Sequence, residues 1–245
     1  MRAQKAVRLV KSVTQYVVEY LAPPSCLGCK KPASWLCRTC NLSLGPPPEL
    51  VCPSCLSQNA DGTRCKKCVQ LEVPLQQLVS AYAYEERVFH RLLAAYKERG
   101  LRDVHTMLGT RLVAQLKPLL IGTPIVTAIP CSRRRRRERG FDQAELLAKF
   151  VAKKLSLEYA PDILRRSKEA GTQKELGQLA RRTHLKDLYA INVDSKALAP
   201  CRKHGVLLID DVATSLATLE TCATLLKRAG IGDVRAGVLA HAAIG

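Results

Sequence analysis

The sequence predicts an α/β fold, a parallel sheet flanked by helices, preceded by a small cysteine-rich module. Four Cys-x-x-Cys pairs are crowded into residues 22–70, and beyond residue 73 apolar segments of strand length alternate with amphipathic segments of helix length. Such alternation is typical of parallel sheets whose crossover connections are helices. We therefore divide the chain into an N-terminal amphipathic helix at 1–21, a cysteine module at 22–72 and an α/β domain at 73–245.

The first segment, residues 6–21, carries Val10, Val13 and Val17 at helical spacing. This pattern predicts an amphipathic helix that packs on the body of the protein, with peripheral contact to a membrane surface as the alternative. Charged residues interrupt the segment, so it is neither a secretory signal nor one of the roughly 20-residue apolar stretches that span a membrane. We expect a cytoplasmic protein.

The cysteine module is predicted to bind two structural zinc ions. A Cys-x-x-Cys turn directs two sulfur atoms at one tetrahedral ion, and two such turns complete a closed site. The segment has few large apolar side chains, so metal binding must supply its folding free energy. Disulfides are the competing interpretation, and interleaved pairing is the alternative to sequential pairing. The predicted ligands are Cys26, Cys29, Cys37 and Cys40 for one ion, and Cys52, Cys55, Cys65 and Cys68 for the other.

The elements of the α/β domain follow from apolar periodicity and from start and stop signals. Asp142 and Glu145 have capping-box spacing at the start of one helix, and Gly100 and Gly230 end two others. No element is predicted in the more polar region at 164–203. The predicted strands are 79–84, 125–129, 206–209 and 234–239, and the predicted helices are 86–98, 101–120, 141–155 and 218–229.

An acidic pair, Asp210 and Asp211, directly follows the strand at 206–209. Open α/β sheets bind ligands at the carboxyl ends of their strands, and a helix start offers free N–H groups to an anion. Thr214, Ser215 and Thr218 offer hydroxyls between the acidic pair and the start of the following helix. The stretch therefore predicts a nucleotide-phosphate site, and the alternative is an ordinary turn that the aspartates merely begin.

A run of arginines lies between the strand at 125–129 and the helix at 141–155. It comprises residues 133–137 and Arg139, in a chain with 39 Lys and Arg against 21 Asp and Glu and a formal charge of +18. Guanidinium groups there would clamp a pyrophosphate or a nucleic-acid backbone, on the same sheet edge as the aspartates. The alternative is a solvated loop or a targeting patch.

Five further motifs follow the cysteine pairs in a fixed order. They are Tyr96-Lys97-x-x-Gly100, Ile129-Pro130, the stretch from Arg139 to Ala144, Gln173-x-x-Leu176 and the stretch 207–214. In this order the motifs resemble the ComF family of competence-associated, phosphoribosyltransferase-like proteins. The resemblance runs from about residue 20 to the end and implies a double zinc ribbon joined to a type I phosphoribosyltransferase fold.

The resemblance also implies a ligand site for phosphoribosyl pyrophosphate. Asp210 and Asp211 would hold the ribose hydroxyls, the loop from Ala213 to Thr218 would wrap the 5′-phosphate, and Mg²⁺ would accompany the pyrophosphate. The full set of predicted ligand-binding residues is Asp210, Asp211, Ala213, Thr214, Ser215, Leu216, Ala217, Thr218, Lys97, Arg137 and Arg139.

Three positions depart from the family pattern. Leu216 replaces a glycine of the phosphate loop, Asp142 replaces an asparagine, and His184 replaces another asparagine. A left-handed leucine would cost about 1–2 kcal/mol and, with steric crowding, would weaken ligand binding by roughly tenfold. The sequence thus leaves open whether the site is catalytic.

The leading hypothesis is a ComF-like protein of natural transformation that handles incoming single-stranded DNA. Aromatic residues make up only 4% of the chain, so charge must carry most DNA affinity. One alternative is an active phosphoribosyltransferase of nucleotide salvage. Another is a noncatalytic adaptor whose zinc ribbons dock a DNA-uptake helicase or channel protein.

Overall fold

The computed structural model describes residues 24–32, 34–71, 73–98, 104–166, 188–214 and 216–242. The predicted N-terminal helix, Gly100, the Gln173 motif, His184 and Ser215 lie outside these ranges. In chain order the elements are α1 (Arg38–Leu42), β1 (Gln77–Ala83), α2 (Arg87–Glu98), α3 (Val104–Leu116), a 3₁₀ turn (Lys117–Leu119), β2 (Ile125–Ala128), α4 (Arg133–Arg139), α5 (Gln143–Leu155), β3 (Leu164–Arg166), β4 (Tyr189–Ile191), α6 (Leu198–His204), β5 (Val206–Ala213), α7 (Ala217–Arg228) and β6 (Val234–His241).

A four-stranded parallel sheet in the order β1-β6-β5-β2 forms the centre of the fold. The predicted α/β class, with a parallel sheet flanked by helices, is confirmed. The central strand β5 begins as a continuous apolar run because both faces of the sheet are covered. Leu207 and Ile209 belong to one core cluster, and Val206 and Leu208 belong to the other.

Helices cover the sheet on both faces. Helix α3 packs on α5, β1 and β6, and α5 packs on β5 and β2. Helix α7 packs on β4, β5 and β6. Strand β4 forms a small antiparallel pair with β3. Within the described ranges, no helix has the length and apolarity needed to cross a bilayer.

Both edges of the sheet are covered by other segments of the chain. At the β1 edge, the Leu78 amide donates to the Gly62 carbonyl over 2.9 Å, and at the β2 edge the Val126 amide donates to Glu158. An open edge would be free to pair with another chain. Since Leu27 and Leu44 of the cysteine module also share a core cluster with α2 and α3, the module packs directly on the domain. The boundary between residues 72 and 73 stays a prediction.

The clearest differences from the predicted elements of the α/β domain are three. The arginine run, for which no element is predicted, forms helix α4, because Ser132 Oγ accepts from the Arg135 amide and Gly140, at φ 74°, ends the helix. Strand β5 continues to Ala213 instead of ending at residue 209. The polar region at 164–203 contains β3, β4 and α6, which are too short to show a clear period in the sequence.

Candidate functional site

The cysteine module contains two four-cysteine clusters, grouped as sequential pairing predicts. In each, one sulfur atom per residue lies within 4.8 Å of the other three. The distances Cys29 Sγ to Cys37 Sγ and Cys55 Sγ to Cys65 Sγ are both 3.7 Å. Tetrahedral zinc at about 2.3 Å from each thiolate needs sulfur atoms about 3.8 Å apart. The donor set and the spacing therefore fit two zinc ions.

The two clusters share one turn geometry. Lys30 and Leu56, each directly after the second cysteine of its turn, have φ of 66° and 57°. Their amides donate to the carbonyls of Cys26 and Cys52 over 2.8 and 2.9 Å. A left-handed residue folds the chain back, so that both sulfur atoms of the turn face one point.

The thiols of each cluster differ strongly in acidity. Burial raises the pKa of Cys26, but backbone N–H groups that donate to its sulfur outweigh burial and lower the pKa to about 6. Burial and the neighbouring thiols raise the pKa of Cys40 to about 12. Cys52 and Cys68 repeat this division, at about 6 and about 12. A divalent cation is what would hold all four sulfur atoms as thiolates at neutral pH.

Asp210 and Asp211 lie in the part of β5 that extends beyond the end of the neighbouring strand β2. Strand β2 stops at Ala128, which pairs with Ile209, so β5 continues with open space beside it. Successive residues of a strand face opposite sides of the sheet. Asp211 Oδ2 meets Lys97 Nζ of α2 at 2.8 Å, whereas the charge of Asp210 acts on Tyr189 and Cys222 on the other side.

A cavity of about 300 Å³ occupies the space beyond β2. It brings the acidic pair together with cations from three separate elements, α2, α4 and β3. We call Asp210 and Asp211 the acidic floor of the cavity and the side chains around them its walls. An acidic floor and basic walls suit a ligand that carries both hydroxyl donors and anionic groups. The lining residues are Lys97, Ile129, Pro130, Cys131, Arg135, Arg139, Asp142, Gln143, Ala144, Arg166, Tyr189, Asp210, Asp211, Val212, Thr214 and Thr218.

The arginines of α4 point in different directions because they are on a helix. Arg135 and Arg139, four residues apart, line the cavity. Arg136 pairs with Glu145 of α5, and Arg137 is exposed and absent from the lining residues. Two residues along a helix turn a side chain by about 200°, so Arg137 and Arg139 cannot serve one ligand equally. Arg135 belongs to the predicted arginine run but not to the predicted ligand-binding set. It reaches the cavity because it lies about one helical turn from Arg139.

The loop that is predicted to wrap a phosphate differs from its expected conformation at Leu216. This leucine has φ −70° and ψ −6°, and it is buried in the core cluster beneath α7. The expected left-handed strain and crowding of the ligand are therefore wrong, since the backbone is already helical and the side chain points into the core. Thr214 and Thr218 line the cavity, Ala213 is buried, and Ala217 begins α7.

Asp210 is a carboxyl group of the floor whose pKa is strongly shifted. Burial among protein atoms, followed by the charge of Asp211, raises the pKa of Asp210 well above its usual range. The Asp211 amide, which donates to Asp210 Oδ1 over 2.8 Å, and Lys97 offset only part of this. Hydroxyl groups that donate to the carboxylate would stabilise its charged form.

The cavity is also lined by residues outside the predicted ligand-binding set. Asp142 caps α5, accepting from the Glu145 amide, and its other oxygen accepts from the Cys131 amide over 3.0 Å. Arg166 donates to Tyr189 Oη over 3.0 Å. Asp142 belongs to a recognised motif, but nothing in the sequence brings β3 and β4 to this cavity.

Comparisons with known proteins agree with the motif resemblance. No family model matches the chain. The chain is 24% identical to DNA utilization protein YhgH of Escherichia coli O157:H7, over 87% of this chain and 95% of that protein. It is 27% identical to Competence protein F of Haemophilus influenzae, over 78% of each.

Among solved structures, the chain is similar to the allosteric regulatory enzyme of purine biosynthesis, with a TM-score of 0.37 and 18% identity, over 56% of this chain and 26% of that chain. The curated relatives cover most of the chain at 24–27% identity. They confirm the resemblance to the ComF family that the motifs indicate.

Proposed function

We propose that the cavity binds phosphoribosyl pyrophosphate, or a related pentose that carries two phosphate-bearing arms. The observation that carries this proposal is the convergence of Asp210 and Asp211 with Lys97, Arg135 and Arg139 on one 300 Å³ cavity. The carboxylates accept from ribose hydroxyls. The guanidinium groups take the pyrophosphate, because each presents a planar fork to phosphate oxygens.

The 5′-phosphate is assigned to the start of α7, where Thr214 and Thr218 line the cavity and free N–H groups favour an anion. Mg²⁺ fits beside the acidic floor, held chiefly by ligand phosphates. The protein offers few free oxygens there, since Asp211 Oδ1 accepts from the Val212 amide and Oδ2 binds Lys97. Positioned cations would stabilise a leaving pyrophosphate. Among the described residues that line the cavity, none identifies an acceptor, and the proposed function is ligand binding alone.

Calorimetric titration with phosphoribosyl pyrophosphate and Mg²⁺ tests this proposal. We expect binding to the native protein and a loss of at least about tenfold in affinity for Asp210→Asn and for Asp211→Asn, because each isosteric change replaces an acceptor oxygen by an NH₂ donor that opposes the ribose hydroxyls. Asp194→Asn, at an exposed position outside the cavity, is the matched control. Native affinity in both cavity variants would refute the assignment.

We also propose that the protein handles single-stranded DNA in the cytoplasm, consistent with relatives named for competence and DNA utilization. The outward side of α4 supports this role. Arg137 is exposed there, in a chain with a formal charge of +18. Phosphate neutralisation would then dominate affinity, and binding would weaken steeply with salt.

A matched pair of variants separates the two sides of α4. Arg137→Gln should weaken binding to single-stranded DNA and lower the slope of log affinity against log salt by about 0.7, the share of one phosphate contact. Arg139→Gln should instead weaken binding of phosphoribosyl pyrophosphate. Fluorescence anisotropy at several salt concentrations and calorimetry measure the two affinities. If both variants change both affinities equally, α4 does not divide its arginines in this way.

A further inference from the structure

Gln143, the first residue of α5, has a buried side-chain amide of which only the oxygen is hydrogen-bonded among the described residues. The residue lines the cavity and is only 2% exposed. Oε1 accepts from Arg139 Nη1 at 3.0 Å. Nε2 is buried and has no hydrogen-bond partner among the described residues.

The orientation of this amide follows from its neighbour. Arginine carries donors only, so the amide atom that faces Arg139 must be the oxygen. The backbone of Gln143 is fixed as well, because Tyr96 Oη donates to its carbonyl over 2.7 Å. Asp142, the preceding residue, caps the helix. Nε2 therefore cannot exchange places with Oε1 without losing the bond to Arg139.

Buried donors without partners are uncommon, because each has given up its water without gaining an acceptor. In the described part of the chain, four buried side-chain atoms are in this state: Ser54 Oγ, Gln143 Nε2, Arg166 Nε and Arg235 Nη1. Gln143 and Arg166 both line the same cavity. Two unused donors around one cavity indicate a ligand that brings acceptor atoms.

We propose that Gln143 is a ligand-binding residue that donates from Nε2 to a pyrophosphate oxygen. This rests on the proposed function of the cavity. Gln143 and Arg139 are joined through Oε1, so the guanidinium and the amide form one wall that offers a charged and a neutral donor side by side. Ribose hydroxyls are matched instead by the carboxylates of Asp210 and Asp211. A diphosphate, rich in acceptor oxygens, is the chemical group that suits the Gln143 wall.

The test uses three probes with Mg²⁺: inorganic pyrophosphate, phosphoribosyl pyrophosphate and ribose 5-phosphate. Gln143→Met keeps the length of the side chain and removes the donor. We expect it to lose about tenfold in affinity for the two probes that contain pyrophosphate and to bind ribose 5-phosphate as the native protein does. Its melting temperature should change little, because the substitution removes a buried donor without a partner, Nε2, and only one hydrogen bond, from the half-buried Arg139 to Oε1.

Gln143→Glu is the second variant. It keeps an oxygen for Arg139 and places a like charge before the pyrophosphate, so we expect an even larger loss for the same two probes. Native affinity for pyrophosphate in both variants would overturn the inference, and so would an equal loss for all three probes with a lowered melting temperature. If the native protein binds pyrophosphate through Gln143 but not phosphoribosyl pyrophosphate, the inference stands and the proposed function fails.

Discussion

Removal of zinc should unfold the cysteine module and destabilise the α/β domain with it. Structural zinc sites contribute apparent free energies of about 10–16 kcal/mol at neutral pH, more than the net stability of most domains. The module also contributes Leu27 and Leu44 to a core cluster of the domain. Arg91 and Arg111 of α2 and α3 donate to the carbonyls of Gly28 and Gly45, each over 2.7 Å. These contacts are lost if the module unfolds.

Circular dichroism melts with and without a strong chelator, together with zinc analysis, measure this effect. Cys29→Ser should lose one zinc ion and show a broad, lowered transition. Cys131→Ser, which changes a thiol outside both clusters, should keep two ions and the native transition. A chelated protein that melts like the zinc-loaded one would show that the clusters are not structural zinc sites.

Much of the fold could be predicted because its signals are local. The cysteine spacing indicated both clusters, and β5 and β6 were recognised as apolar runs between turn residues. Helix α4 was missed because a run of arginines has no apolar face, and its helical state depends on the Ser132 cap and on Gly140. Strands β3 and β4 span only three residues each and are defined by pairing with one another.

The same distinction between local signals and tertiary contacts applies to the candidate site. The acidic pair and Arg139 are recognisable from their place after strands, but Gln143 and Arg166 reach the cavity only through tertiary structure. Arg137 and Arg139 belong to the same predicted ligand-binding set. On helix α4, Arg139 lines the cavity formed by the described residues and Arg137 does not.

Leu216→Gly should destabilise the protein without tightening ligand binding. From the sequence alone, glycine at this position is expected to restore the phosphate loop of the family pattern. In the structure the leucine has a helical φ of −70° and is 5% exposed, in the same core cluster as Leu219 and Val238. Removing a buried leucine side chain costs about 2–5 kcal/mol, depending on how far the surroundings collapse.

Leu216→Met is the matched control for this substitution. It conserves the buried volume, so the free energy of unfolding should fall by less than about 1.5 kcal/mol. Urea denaturation of the three proteins gives these values, and calorimetry gives their affinities for phosphoribosyl pyrophosphate. A glycine variant with native stability and a tighter ligand would place Leu216 at the ligand instead of in the core. A destabilised glycine variant with native or weaker affinity would instead mean that this leucine packs in the core at the start of α7. Its packing would then position Thr214 and Thr218 at the cavity.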